Sequence, residues 1–306
     1  MYNPRRTVPS IGKESTYGTT ASSLSKFWGL IQPLQPNDDY DFAEKEGIRD
    51  SIEIQGNEIM VERHSFDIAI DWLANGQVLE YVFGTNSESG SGDITHTILP
   101  LNNSYHDSFS LEVAEKGTTN DVNMYKGCTV DEFSLSWNKG EQVKAVAKMI
   151  AQSVANGTTI VGTSSEPADQ EYFDWSHVQL KINGSTVENE SGSFTITKNL
   201  EAEPRVTDAA GNKLIARPSN GSLKYSLTFA RKKVDSVVGA AWRAGADNTV
   251  VLLLKISATY YIQFSFTGVK IKTNQTDIDT GNTTNMENVT AVPTACAVEV
   301  MDQSSW

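Results

Sequence analysis

Four histidines, two cysteines and 38 carboxylates are the side chains of this 306-residue chain that could do chemistry. His64, His96, His106 and His177 have no partner at i+2 or i+4 and no HExxH setting, so they spell neither a zinc site nor a nucleophile with its base. Each reads as a surface or strand-face histidine. Cys128 and Cys296 belong to no CxxC or Cys/His spacing and read as two buried free thiols. The glycines between Gly84 and Gly92 lack the order of a phosphate-binding loop, so that stretch reads as a flexible loop. Acidic runs are common, as in Asp38, Asp39, Asp41, Asp131 and Glu132, and Asp277-Ile278-Asp279 comes nearest to a calcium loop. No spacing brings two carboxylates together as a glycosidase needs, and a solvated acidic surface is the expectation. Neither a catalytic residue, a metal ligand nor a cofactor is expected.

The elements that would position these groups are strands. Ile52/Ile54 and Ile59/Val61 flank Gly56-Asn57 as a hairpin does, and Phe66, Ile68 and Ile70 alternate. Leu79, Val82 and Phe83 then recur at helical spacing in Asp71 to Gly84, with Gly84 as the stop. Alternation returns in Phe109–Val113, Val130–Trp137 and Val143–Ile150. A polar stretch, Ala155 to Ala168, separates two halves. Beyond it Val178/Leu180/Ile182 turns at Asn183-Gly184, Phe194/Ile196 follows, and the strand Leu223–Phe229 runs into a helix over Val234–Arg243 that Gly245 ends. That strand-then-helix order repeats Phe66 to Gly84. The strands Val250–Ser257 and Tyr260–Thr267 repeat Phe109 to Trp137, and Ala295–Met301 closes the second sheet. The expected fold is all-β, a sandwich or barrel with one short flanking helix per half and a duplicated core. Its parts are an arm over 1–50, a β domain over 51–155, a linker over 156–168 and a second β domain over 169–306.

A net charge of −13 and a pI of about 4.8 offer no basic footprint for a duplex. Repulsion suits a channel through which DNA slides without sticking. Met1 to Ser10 carries Arg5 and Arg6 without an apolar segment behind them, so no ordinary secretory signal is expected, and the longest apolar runs fall short of a bilayer span. Of the six tryptophans, Trp72 and Trp242 are expected in the core beside the helices. Trp28 sits in the apolar island Phe27-Trp28-Gly29-Leu30-Ile31 of an arm with no strand pattern, and Trp306 is the final residue. Trp28 is expected at a subunit contact; for Trp306 fraying is the plain expectation and docking against a neighbour the sharper one.

Ile11-Gly12-Lys13-Glu14-Ser15-Thr16-Tyr17-Gly18-Thr19 resembles the N-terminal G-x-E-x-x-Y-G-T segment of the tail tube proteins of tailed bacteriophages and related archaeal viruses. Phe66 to Gly84, Gly127-Cys128-Thr129-Val130, Gly221 to Val238 and a late strand after an Asn/Thr loop extend the resemblance over most of the chain. The chain is longer than single-barrel members, which duplication would explain. The resemblance implies a non-enzymatic virion protein, made in the host cytoplasm, whose stacked rings form a hollow tube for viral DNA. Its partners would be other copies, in trimeric pseudo-sixfold or hexameric rings, the tape measure, terminator and baseplate or tip proteins, and DNA held without specific binding; no membrane is implied. Tyr17, Phe27, Trp28, Leu30, Ile31 and Trp306 are the expected subunit or inter-ring contacts, within Pro9–Ile31 and alongside the loop Thr85–Asp93. Asp131 and Glu132 are the expected lumen-facing acids. A non-catalytic β-sandwich binding module for carbohydrate or adhesion is the alternative, and a β-rich glycosidase comes last.

Overall fold

A computed structural model describes residues 7–32, 34, 36–44, 57–101, 105–167, 170–201, 203–206, 213–219, 221–277, 285–302 and 306. The chain runs through β1 (Thr7–Lys13), β2 (Gly29–Ile31), β3 (Asn37–Glu44) and β4 (Asn57–Leu73) into α1 (Val78–Phe83). There follow β5 (Gly84–Ser89), β6 (Ile94–Pro100), β7 (Phe109–Glu115), β8 (Asp121–Asn138), β9 (Lys144–Ala151) and β10 (Ser153–Gly157). After a 3-10 turn at Trp175–His177 come β11 (Val178–Ile182), β12 (Ser185–Val187), β13 (Ser191–Thr197) and the small hairpin β14 (Pro204–Val206) and β15 (Lys213–Ile215). The chain continues through β16 (Lys224–Lys232), α2 (Val237–Ala244), β17 (Asn248–Lys255), β18 (Tyr261–Asp277), β19 (Met286–Val292) and β20 (Ala295–Asp302).

Among the described residues, the strands apart from β14 and β15 join one large antiparallel sheet of 18 strands, which does not close. Its central row is β2 and β3 end to end, then β4, β9, β8, β13, β16, β19 and β18. Two long strands leave this row by bending. Gly127 (φ 63°) and Gly268 (φ 59°) adopt the left-handed conformation that glycine takes without a Cβ penalty. Ahead of Gly127, β8 pairs with β7 and β10; ahead of Gly268, β18 pairs with β17 and β20. Four residues beyond each glycine the register slips by one, over Asp131 against β9 and over Lys272 against β19, a bulge that sharpens the twist. Outside these, β1 pairs with β7, β11 with β17 and β12, β6 with β20 and β5.

Period-two alternation gives the central row one apolar and one polar face. Phe66, Ile68 and Ile70 of β4, Phe133, Leu135 and Trp137 of β8, and Leu227 and Phe229 of β16 are buried. Phe194 of β13 meets Phe264 and Phe266 of β18 at 5.3 and 4.9 Å, so the central row packs on the outer strands as one layer on another. Both helices end at a left-handed glycine, Gly84 and Gly245, where the sequence places their stops.

Several expectations need correction. The sheet is open and forms no closed barrel by itself. Asp71–Leu73 is still strand, and the helix begins only at Val78. Thr85–Ser89 is not loop but most of β5, paired along its length with β6; its polar residues hid it because it has no apolar face to show. Trp72 and Trp242, expected in the core, are 39% and 45% exposed. The first arm of the Gly56-Asn57 hairpin lies outside the described residues, while Ile59 and Val61 belong to β4.

Candidate assembly interface

The polar face of the central row is hydroxyl-rich. Ser134 and Ser136 of β8, Ser193, Thr195 and Thr197 of β13, and Ser226 and Thr228 of β16 alternate with the buried residues, and Ser193 Oγ lies 2.8 Å from Thr228 Oγ1. Its charges occur in both signs. Glu132 Oε1 accepts from Lys148 Nζ at 2.6 Å, so this acid is neutralised locally, and the salt link holds the ammonium above its usual pKa. Asp131 sits on the bulge, where its carboxylate accepts the Leu200 N–H at 2.8 Å while its carbonyl accepts the Lys198 N–H. Both ends of the row are unfinished: among the described residues, β2 and β3 pair only with β4, and β18 beyond Val269 pairs only with β19. Such edges invite another strand.

The segment expected to reach for a neighbour is instead largely folded onto its own chain. Trp28 has no accessible surface: its ring packs against Tyr81 and Phe109 at 5.7 and 5.3 Å, partners remote in sequence that a local reading cannot supply. Tyr17 lies against the bend at Gly127, and Arg217 sits 5.9 Å from its ring. Glu14, which sequence reasoning did not single out, organises this corner. Its buried carboxylate accepts from Gly18 N, Ser108 Oγ, Ser110 Oγ and Gly127 N at 2.7 to 2.9 Å, tying the G-x-E-x-x-Y-G segment to the kink in β8. The spacing Glu14-x-x-Tyr17-Gly18 was the available signal. Phe27 and Ile31 are half-buried, and Leu30 stays 39% exposed opposite Trp72, beside a groove shared with Ser164 and Glu166. Trp306 also docks at home, stacked on His96 at 3.8 Å with its indole N–H on Asp302 Oδ2 at 3.0 Å.

Two buried cations mark where the halves differ. Lys198, just past β13, donates to the Tyr81 carbonyl of α1 at 2.9 Å; burial pushes its ammonium down to about 7, against a smaller upward pull from Asp131. Burial, with Lys198 and Arg217 nearby, holds the His106 imidazole down to about 3 and therefore neutral. Arg231 of β16 is buried and bonded to Glu287 Oε2 of β19 at 2.7 Å and to Asp235 Oδ1 at 2.8 Å. Among the described residues these groups are tied up in pairs and do not converge on one another. Among the described residues no cluster of His, Cys, Asp or Glu is placed to hold a metal, and no helix is long and apolar enough to cross a membrane.

An open antiparallel sheet with a hydroxylated face, bounded among the described residues by β2 and β3 at one end and by β18 at the other, is the form of a structural subunit and not of an enzyme centre. The sequence matches the phage tail tube protein family over residues 4–298, and the chain belongs to that family. It is thus a non-catalytic structural component of the virion tail that self-assembles into a tube. No curated protein matches it.

Proposed function

We propose that three copies of this chain close into a pseudo-sixfold ring, that rings stack into the tail tube, and that the hydroxylated face of the central row lines a lumen for viral DNA. The observation that carries this reading is the recurrence of one pairing scheme. In the first half β7 pairs with β8 before Gly127, β8 pairs with β10 before it and β9 after it, and β9 pairs with β4, which leads into α1. In the second half β17, β18, β20, β19, β16 and α2 take those places around Gly268. Bulges at matching distances past the two glycines support a duplicated unit, divided near residues 156–168. The two units already join through β8 and β13. A chain holding two units of a repeating row needs three copies to make six, and ring closure then uses up the edges at β3 and β18.

In this reading the lumen suits DNA through hydroxyls and locally paired charge, Glu132 with Lys148, more than through the bare acidity expected of Asp131 and Glu132. Exposed parts of residues 9–31, Leu30 among them, and the turn at 90–93 serve ring stacking. The tape measure, terminator and baseplate or tip proteins would meet the ends of the stack. Negative-stain electron microscopy with light scattering over a concentration series tests the proposal. Rings or tubes whose mass per ring is three chains are the expected result; six chains per ring would overturn the stoichiometry, and a persistent monomer the whole reading.

A further inference from the structure

Resting on that ring reading, we propose that the seam between copies is a strand pairing of defined register, Asn37 opposite Gln275 and Asp39 opposite Thr273, and that charge steers it, making assembly salt-sensitive at a seam whose counterpart inside the chain is not. The chain carries the template. Inside it, β13 lies on the outer edge of β8 with Thr195 opposite Ser134 and Thr197 opposite Glu132, and Thr197 Oγ1 donates to Glu132 Oε2 at 3.4 Å.

The alignment follows from the bulges. Val130 precedes one and Ile271 the other; their partners Met149 and Ala291 face Phe66 and Leu227, and the residues just before these, Ser65 and Ser226, face Asn37 and Thr195. Asn37 therefore stands where Thr195 stands, and Asp39 where Thr197 stands. On the receiving strand Ser134 corresponds to Gln275 and Glu132 to Thr273. The Thr197–Glu132 contact thus returns between copies with its members exchanged, a carboxylate from β3 meeting a threonine hydroxyl from β18.

Charge separates the two seams. The bulge residue is Asp131 inside the chain but exposed Lys272 at the open edge, which also carries Lys270, held by Asp247 at 2.9 Å. The strand that would approach it reads Asn37-Asp38-Asp39-Tyr40-Asp41, with Asp38 bonded to His64 Nδ1 at 2.7 Å and Asp39 exposed. The equivalent stretch of β13, Thr195-Ile196-Thr197-Lys198, has no acid. An acidic edge facing a basic one favours this pairing over two like edges and fades as salt screens it.

In the full chain, Asn37→Cys with Gln275→Cys should oxidise to disulfide-linked rings, because the Lys198–Asp131 backbone bond makes these positions a non-hydrogen-bonded pair, roughly 4.5 Å apart at Cα. The shifted pair Asn37→Cys with Thr273→Cys places the atoms about 7–8 Å apart and should link poorly. Raising salt from roughly 0.05 to 0.5 M should weaken association of the wild-type chain about fivefold per seam, Lys272→Glu should do so at low salt, and adding Asp39→Lys should restore it. Rings that cross-link only in the shifted pair, or whose assembly ignores salt and Lys272→Glu, would overturn this seam while leaving the ring intact. A wild-type chain that never leaves the monomer would overturn the ring itself, and the seam with it.

Discussion

The two helices occupy like positions after β4 and β16, yet every residue of α1 is buried while α2 leaves Trp242 and the preceding Val234 exposed. The difference lies in what each half has over its helix. Above α1 the chain lays Trp28 against Tyr81, the hairpin of β5 and β6, and Lys198 arriving from β13. After α2 only Ala246 and Asp247 separate the cap Gly245 from β17, so no hairpin intervenes, and Lys270 reaches the Gly245 carbonyl from an exposed position. The first half is finished by its own chain and by the second half. In the proposed ring, the second is finished by the next copy.

Truncating the two tryptophans should separate these cases most widely. Trp28→Ala opens a cavity among Tyr81, Phe109 and the sheet and should cost about 3–5 kcal/mol in a urea melt of the monomer. Trp242→Ala should change that stability by less than about 0.5 kcal/mol and show its effect as weaker assembly. Equal losses in the monomer would mean that α2 is covered within its own chain.

The halves also differ at one row of the core. Ile70 faces Ala145 where β4 meets β9, whereas Arg231 faces Glu287 where β16 meets β19. Removing one member of a buried ion pair strands the other, so Glu287→Ala should cost about 3 kcal/mol or more. The double variant Arg231→Ile with Glu287→Ala copies the first half and should return to within about 1 kcal/mol of wild type, or exceed it. A double variant as unstable as the single one would show that this row is not equivalent in the two halves.

Much of this was legible because alternation and glycine report local backbone demands. Phe66/Ile68/Ile70, Val130 to Trp137 and Leu223 to Phe229 alternate because one face of each strand is buried, and Gly84 and Gly245 stop their helices where expected. What escaped depends on partners far along the chain. Trp28 looked unburied because Tyr81 and Phe109 are remote; Glu14 stood in the G-x-E-x-x-Y-G-T segment with no role of its own until its four donors converged; β5 looked like a loop because both its faces are polar. Arg231 was partly readable: it follows Tyr225, Leu227 and Phe229 at period two, which sets a charge on the core face and calls for a buried partner such as Glu287.

Lys198 gives the finest test of how the two halves interlock, since it is the cation that the second half inserts beneath α1. Burial lowers its pKa to about 7, below the value near 10.5 of an unfolded lysine. Between those values the unfolded chain binds a proton that the folded chain has released, so this residue makes stability rise with pH, by at most about 1.4 kcal/mol per pH unit. Below about 7 both states are charged and the full cost of burying the ammonium is present; the cost is relieved as pH rises. Burial pushes the Cys128 and Cys296 thiols up, which works in the opposite direction as their unfolded counterparts ionise. Subtracting the stability of Lys198→Met from that of wild type between pH 6.5 and 8.5 isolates the lysine. The difference should move in favour of wild type with increasing pH; a flat difference would mean that Lys198 keeps its proton in the fold and that the contact with Tyr81 is a solvated one.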